Sequence, residues 1–291
     1  QAASALGALR QVVKLEPNDR DSWILGGILL VDHLGMLEEA LAWWQERRAV
    51  EPTEVTPLVE QIAILVRLGM YTQAGELLEI LFSPEMESPD NRQLVKMDQV
   101  RKMVEKAAKM EKDEVFRPQN PEHSRWEIID RMKGRKPLSE TFFLFTFVAP
   151  IVFLIGTVAM QLIGPSKYGF LLVFIIILGL FMLVSRMGSG LLHTLNRHAL
   201  DLDRALDVES TAAKLCVPED IRGSKLYENL LGKRPEAFRE RHLKIVEADE
   251  NLVVKWRPNM PNFAVDVGWW DNADEDDSES GEPIELDGLE D

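Results

Sequence analysis

Between Thr141 and Ser185 the chain carries one formal charge, Lys167. On either side of it run two apolar stretches, 142–163 and 169–184, joined by a turn of about five residues. A hydrocarbon core roughly 30 Å thick takes about 20 helical residues. The first stretch has that length directly, and the second has it when its helix starts near Ser166 and runs on to Met187. At roughly −0.3 to −0.6 kcal/mol for each central Leu, Ile, Phe or Val, insertion of either stretch is favoured by several kcal/mol. The sequence predicts a transmembrane helical hairpin over 141–187. The competing arrangement is the buried core hairpin of a soluble protein.

The flanks orient that hairpin. Arg131, Lys133, Arg135 and Lys136 precede it, Arg186, Arg197 and Arg204 follow it, and its tip offers Lys167 alone. Cationic flanks stay on the cytoplasmic side, so the expectation is an integral membrane protein with two spans. Both soluble regions then lie on the cytoplasmic or equivalent organellar (stroma or matrix) side. Residues 116–140 read as a basic linker with an interfacial helix. FRPQNPE (116–122) is a loop by its two prolines, and Ser124 with Glu127 has capping-box spacing for a helix to Met132. Trp126, Arg131, Lys133, Arg135, Lys136 and Arg186 are the expected membrane-interface residues. Inside the spans the polar residues are Thr146, Thr157 and Gln161. A proton or ion path normally needs an intramembrane carboxylate, His or Arg, and there is none. Pro150 is expected to kink the first span, and Gly156 and Gly179 to permit close helix approach.

Before the linker, small and bulky residues recur at a fixed interval. Ala5 and Pro17 lie 12 apart, as do Ala40 and Pro52, with 35 residues between the two pairs. Trp23 recurs as Leu58 at the same offset, and Ala74 follows Ala40 by 34. Trp23, Gly27, Leu30, Ala40, Trp44 and Pro52 stand at positions that resemble the signature of the tetratricopeptide repeat. One extra residue falls in the turn at 33–36, and Arg47 replaces a usual small residue. The next unit, 58–84, is more degenerate, with Ile62 in place of Gly. Residues 2–17 look like only the second helix of a unit, which predicts an upstream partner helix outside this sequence. Residues 91–113 look like a capping helix or an eroded third unit.

That resemblance, over residues 1–115, implies stacked helical pairs whose apolar faces only a neighbour can bury. It also implies a concave side that binds peptides or helices. The corresponding positions here are Ile24, Ile28, Val31, Val59, Ala63 and Val66. They either line an open groove for an apolar helix or pack inside the array. The Asn and Lys residues that grip acidic C-termini in some such repeats are absent there.

Beyond the second span, Gly188, Leu192, Leu195, Ala199, Leu202 and Leu206 step by four and three. The span should therefore continue as one long helix, its seam facing a coiled-coil partner or the chain's own helices. Cys216-Val-Pro218 should break it, and 226–231 and 235–248 read as two further helices within a region 188–255. His193 and His198 are five apart, which does not suit a shared metal face; chlorophyll or haem binding through either one is a third reading, which the absorption spectrum of the purified protein would test. Residues 256–270 hold Trp256, Trp269 and Trp270 among prolines with no helical period, and read as an aromatic segment docking on protein. Residues 271–291 carry eleven acidic and no basic side chains, which leaves −4 of the net −15 for the rest of the chain. This tail should be disordered on its own; Ile284, Leu286 and Leu289 give it the look of a short recognition motif.

No basic stripe suggests nucleic acid, and the single cysteine, Cys216, excludes a disulfide framework. No P-loop, GxGxxG, HExxH or GxSxG occurs. The fold class expected is all-α. The function expected is a non-enzymatic, membrane-anchored scaffold or accessory subunit that assembles or stabilises a larger membrane protein complex. No catalytic residue, cofactor, metal or small-molecule substrate is expected; the expected partners are protein subunits and membrane lipids. The alternative is an oligomeric channel or energy-coupling membrane subunit.

Overall fold

Two adjacent tryptophans decide how the first helices stack. The computed structural model describes residues 2–84, 86–109, 115–163 and 167–262, and among these the chain is mostly helical, without a strand. It is all-α. The N-terminal helices are α1 (Ala2–Leu15), α2 (Arg20–Ile28), α3 (Leu37–Val50), α4 (Val55–Leu68), α5 (Tyr71–Leu81) and α6 (Asn91–Ala107). A Cβ on Gly26 or Gly27 would come within 2.3 Å of the ring of Trp43 or Trp44 respectively. Only glycine there lets α3 lay both indoles on α2. Trp43 Nε1 donates to the Trp23 carbonyl at 2.8 Å and Trp23 Nε1 to the Pro17 carbonyl at 2.8 Å, which meets the polar end of each buried ring. Ala40 and Ala74 are fully buried, as expected of positions that let paired helices approach.

The extra residue expected at 33–36 is absorbed in the turn before it. Leu29–Leu34 winds as a π-helix, and the chain then reverses at Gly35 with φ +64°. A π turn holds more residues than an α turn without losing its hydrogen bonds. Arg47, in place of a small residue, is buried with a purpose: its Nε meets Glu54 at 2.6 Å and its Nη1 the Pro17 carbonyl at 2.8 Å. Helix α6 opens with a reciprocal capping box, Gln93 N–H to Asp90 Oδ1 at 2.7 Å and Asp90 N–H to Gln93 Oε1 at 2.9 Å.

Helix α7 (Ser124–Met132) corrects two expectations. Its cap is His123, whose Nδ1 accepts the Arg125 N–H at 3.2 Å, not Ser124. Trp126 is only 5% exposed, edge-on to Phe116, with its Nε1 bonded to the Asn120 carbonyl at 3.1 Å. It packs in a core with Ile129, Leu202 and Leu226, so the ring has no face left for a membrane interface. Residues 116–140 are accordingly no free linker in their first half.

Helix α8 (Glu140–Phe143) passes through a π stretch, Leu144–Val148, into α9 (Ala149–Ile163). That stretch ends just before Pro150, which has no N–H to donate into it. Glu140–Leu162, 23 residues whose most apolar 18-residue window has a mean hydropathy of 2.4, is the one helix among the described residues long and apolar enough to cross a membrane. The apolar part of α10 (Lys167–Leu195) is shorter, Leu171–Leu183. The two helices pack closely: a Cβ on Gly156 would meet Ile177 and one on Gly188 would meet Phe143. Their outer faces are apolar, with Phe145, Phe153 and Leu162 among the most exposed side chains.

The long rod expected after the second apolar stretch is broken. Asn196 (φ −93°, ψ 6°) separates α10 from α11 (Arg197–Ala212). Its side-chain amide is used by the segment entering α8, donating to the Leu138 carbonyl and accepting the Leu138 N–H, each at 2.9 Å. Helices α12 (Glu219–Arg222), α13 (Lys225–Gly232) and α14 (Glu236–Ala248) follow, α14 starting behind Pro235. The chain then pairs Leu215 with residues 250–252 and crosses the N-terminal helices, where Trp256 is half-buried.

Candidate interaction surface

Helix α11 is the spine of the surface. Its apolar positions Ala199, Leu202 and Leu206 face α7 and α13, so the α11 half of the heptad-like seam is filled by the chain itself. Its other faces carry charges, of which Asp201, Asp207 and Glu209 are buried. Asp207 receives Arg67 through two bonds, 2.8 and 3.0 Å, and Arg234 at 2.9 Å. Asp203 receives Arg234 at 2.7 Å. Arg204 donates to the Tyr71 hydroxyl at 2.6 Å and to the Arg67 carbonyl at 3.1 Å. From α14, Arg241 bonds the Leu34 carbonyl at 3.2 Å and both the hydroxyl and the carbonyl of Ser210. Phe238 lies over Gly35, where a Cβ would sit 2.4 Å from its ring.

Behind this layer Glu209 is fully buried. One of its oxygens takes the N–H groups of Cys216 and Val217 at 2.7 and 2.8 Å and Arg222 at 2.5 Å. His242 Nε2 lies 2.7 Å from the Tyr227 hydroxyl and 3.7 Å from Glu209. Burial pushes the Glu209 carboxyl up against the pull of Arg222, and pushes Asp201 up against Arg125. Burial, then Arg222, Arg241 and Arg234, bring His242 down to about 4. Tyr227 is pushed up to about 12 by burial and Glu209, and Cys216 well up for the same two reasons. A thiol held protonated is a poor nucleophile. Chemically the set does one thing well: it locks α11 to the N-terminal helices through the Arg67–Asp207 pair and α14 through the Arg241 bond to the Leu34 carbonyl.

Of the six residues expected on a concave face, Val31 and Val66 lie where α14 and α11 come in. Val59 is buried in the N-terminal core, Ile24, Val31, Ala63 and Val66 are half-buried, and Ile28 is exposed. Arg204 bonds the Val66 carbonyl at 3.4 Å and α14 packs on Leu29–Leu34, so part of this face meets the chain's own C-terminal helices while Ile28 stays exposed. Trp256 docks on protein, its carbonyl taking Gln119 Nε2 at 3.4 Å. Trp269, Trp270 and the acidic tail lie outside the described residues, as does the side chain of Arg186. Arg131, Arg135 and Lys136 are exposed, and Lys133, half-exposed, pairs with Asp130 at 2.7 Å. His198 is buried and its imidazole pushed down by that burial.

Arg67, Asp207, Arg234, Arg241 and Glu209 were not expected at a site. The legible signal was α11 itself, DLDRALDVEST, which puts acids on several faces of a helix whose apolar positions demand burial. Compared with protein-family models, with curated proteins and with solved structures, the chain matches none. The tetratricopeptide resemblance therefore rests on the residues alone.

Proposed function

We propose that the chain is a membrane-anchored scaffold or accessory subunit, with a tetratricopeptide-like N-terminal region, that holds together a larger membrane protein complex without catalysing a reaction. One observation carries the reading: the apolar helix pair interrupts a single soluble body. Residues before it, such as Arg67 and Leu34, bond residues after it, such as Asp207 and Arg241. Groups in contact lie on one side of any bilayer, so a chain that crosses through Glu140–Leu162 must cross back. Helix α10 is the segment available for the return, which supports two spans and one common side for both soluble regions. The basic residues at 131–136 favour the cytoplasmic or equivalent side. Partners meet the outer surfaces of the N-terminal helices and the tail. Cross-linking mass spectrometry on native membranes should capture recurrent protein neighbours on those surfaces. A lone monomer after gentle detergent extraction, with no cross-linked neighbour, would sink the idea.

A further inference from the structure

The apolar surface of the helix pair does not stop where the expected spans end. Leu191 and Leu195 on the last turns of α10, and Leu200 on α11, are 55%, 42% and 45% exposed. They lead to a cleft of about 420 Å³ between α4–α6 and the α10–α11 junction. Val66, Met103, Phe116 and Leu200 give it an apolar wall, and Lys106, Arg197 and His193 a polar rim.

The helix pair sets the height of this cleft. The ring of Phe143, at the start of the first apolar stretch, lies against Gly188. Gly188 therefore marks on α10 the level at which hydrocarbon begins. His193 and Thr194 are five and six residues further on, about 8–9 Å at 1.5 Å per residue. The headgroup region adds roughly 5–8 Å to each side of a bilayer core. The cleft thus opens at the outer edge of the headgroup region, where long cationic side chains reach lipid phosphates.

Its charges are unevenly matched. Asp207 is answered by Arg67 and Arg234, Asp203 by Arg234, and Asp201 lies 3.5 Å from Arg125. Arg204 is spent on Tyr71 and two backbone carbonyls. The side chains of Lys106 and Arg197 make no hydrogen bond or ion pair among the described residues; Arg197 acts on Asp201 only through space. Two cations without such a partner among the described residues, beside an apolar track that runs down to the bilayer, call for an amphiphilic anion.

We propose that this cleft holds the headgroup of an anionic phospholipid, its phosphate between Lys106 and Arg197 and one acyl chain along Leu200, Leu195 and Leu191. The inference rests on the membrane reading given above. The test is native mass spectrometry of the full chain, purified in mild detergent and titrated with phosphatidylglycerol or phosphatidylcholine. Phosphatidylglycerol is expected to be retained at least ten-fold more tightly, and the double substitution K106Q/R197Q to abolish the preference. A photoactivatable phosphatidylglycerol should cross-link to peptides covering 103–107 and 191–200. Equal retention of the two lipids, or a preference that survives the double substitution, overturns the proposal. Carbonate washing of the source membranes separates the two levels of failure. A chain that washes off refutes the anchor and the cleft together; one that stays but shows no lipid preference refutes the cleft alone.

Discussion

The two cores of the soluble body are built from the same element and held in opposite ways. In the N-terminal helices, indoles rest on glycines and alanines separate paired helices, so shape decides the packing. Around α11, arginines and histidine from four directions close on buried carboxylates, so charge decides it. A shape-built core tolerates no loss of volume, since nothing refills the space. A charge-built core tolerates the loss of a whole pair better than the loss of half of one, because a lone buried charge costs more than none.

The largest effects should expose that contrast. Trp43→Ala removes a buried indole and its bond to the Trp23 carbonyl, and is expected to cost about 3–5 kcal/mol. Glu209→Leu strands Arg222 and two backbone N–H groups, for a similar loss of about 3–5 kcal/mol. Adding Arg222→Leu should restore much of the second loss, whereas no single partner substitution should rescue Trp43→Ala. Urea midpoints of the parent and the three variants, followed by far-UV circular dichroism, would decide. A Glu209→Leu/Arg222→Leu chain no more stable than Glu209→Leu would mean that the α11 core is held by shape after all.

Acid separates the cores next. His242 has a folded pKa of about 4 against an ordinary 6.5, so the unfolded chain takes up its proton first. Its contribution is complete above pH 6.5 and is lost as the pH falls to 4, by up to about 3 kcal/mol. Glu209, Asp201 and Asp203, whose carboxyls are pushed up by burial, act with the opposite sign: protonation favours their folded form, which offsets part of that loss. His242→Phe should therefore be less stable than the parent at pH 7, having lost its bond to Tyr227, yet show a shallower fall between pH 6.5 and 4. Urea midpoints at pH 7, 5.5 and 4.5 measure both. An unchanged slope would show that the imidazole is not what titrates.

The same contrast explains what could be read from the sequence. Period made the N-terminal helices legible: Trp23 with Leu58, and Ala40 with Ala74, stand one interval apart because shape-built packing repeats. Apolar length made α9 and α10 legible in the same way. The π stretch at Leu29–Leu34 was visible only as one residue too many. Charge-built packing left no period. Arg67 on α4 and Asp207 on α11 are 140 residues apart, and each looks locally like a solvated side chain. Trp126 misled for a related reason, since a Trp beside basic residues near a span suits an interface by composition and a core by contact. Asn196 was unreadable because its partner, Leu138, offers only backbone.

That Asn196 bond is the next test in size. It ties the entrance of the apolar helix pair to its exit, outside both cores. Asn196→Ala removes two hydrogen bonds at a part-buried site, an expected loss of about 1–2 kcal/mol. Hydrogen exchange should quicken at the Leu138 amide while the Trp43 region stays protected. Equal acceleration in both regions would mean that the helix pair and the N-terminal helices open as one unit.

Helix α6 gives the smallest effect because it belongs fully to neither core. Met97 and Val100 are its buried side chains, while Leu94, Val95 and Met103 stand exposed. A helix anchored by so little depends on its own ends more than α4 does, whose buried side chains run along its whole length. Asp90→Ala removes the side-chain half of the capping box and should cost about 1 kcal/mol. At RT near 0.59 kcal/mol that loss corresponds to roughly five-fold faster exchange for the amides of the first turn. The acceleration should be confined to residues 91–94, since Lys106, on the rim of the proposed lipid cleft, lies four turns away. Faster exchange extending to Lys106 would show that α6 folds as an all-or-none unit, and the cleft wall would then owe its order to the cap rather than to contacts with α4 and α5.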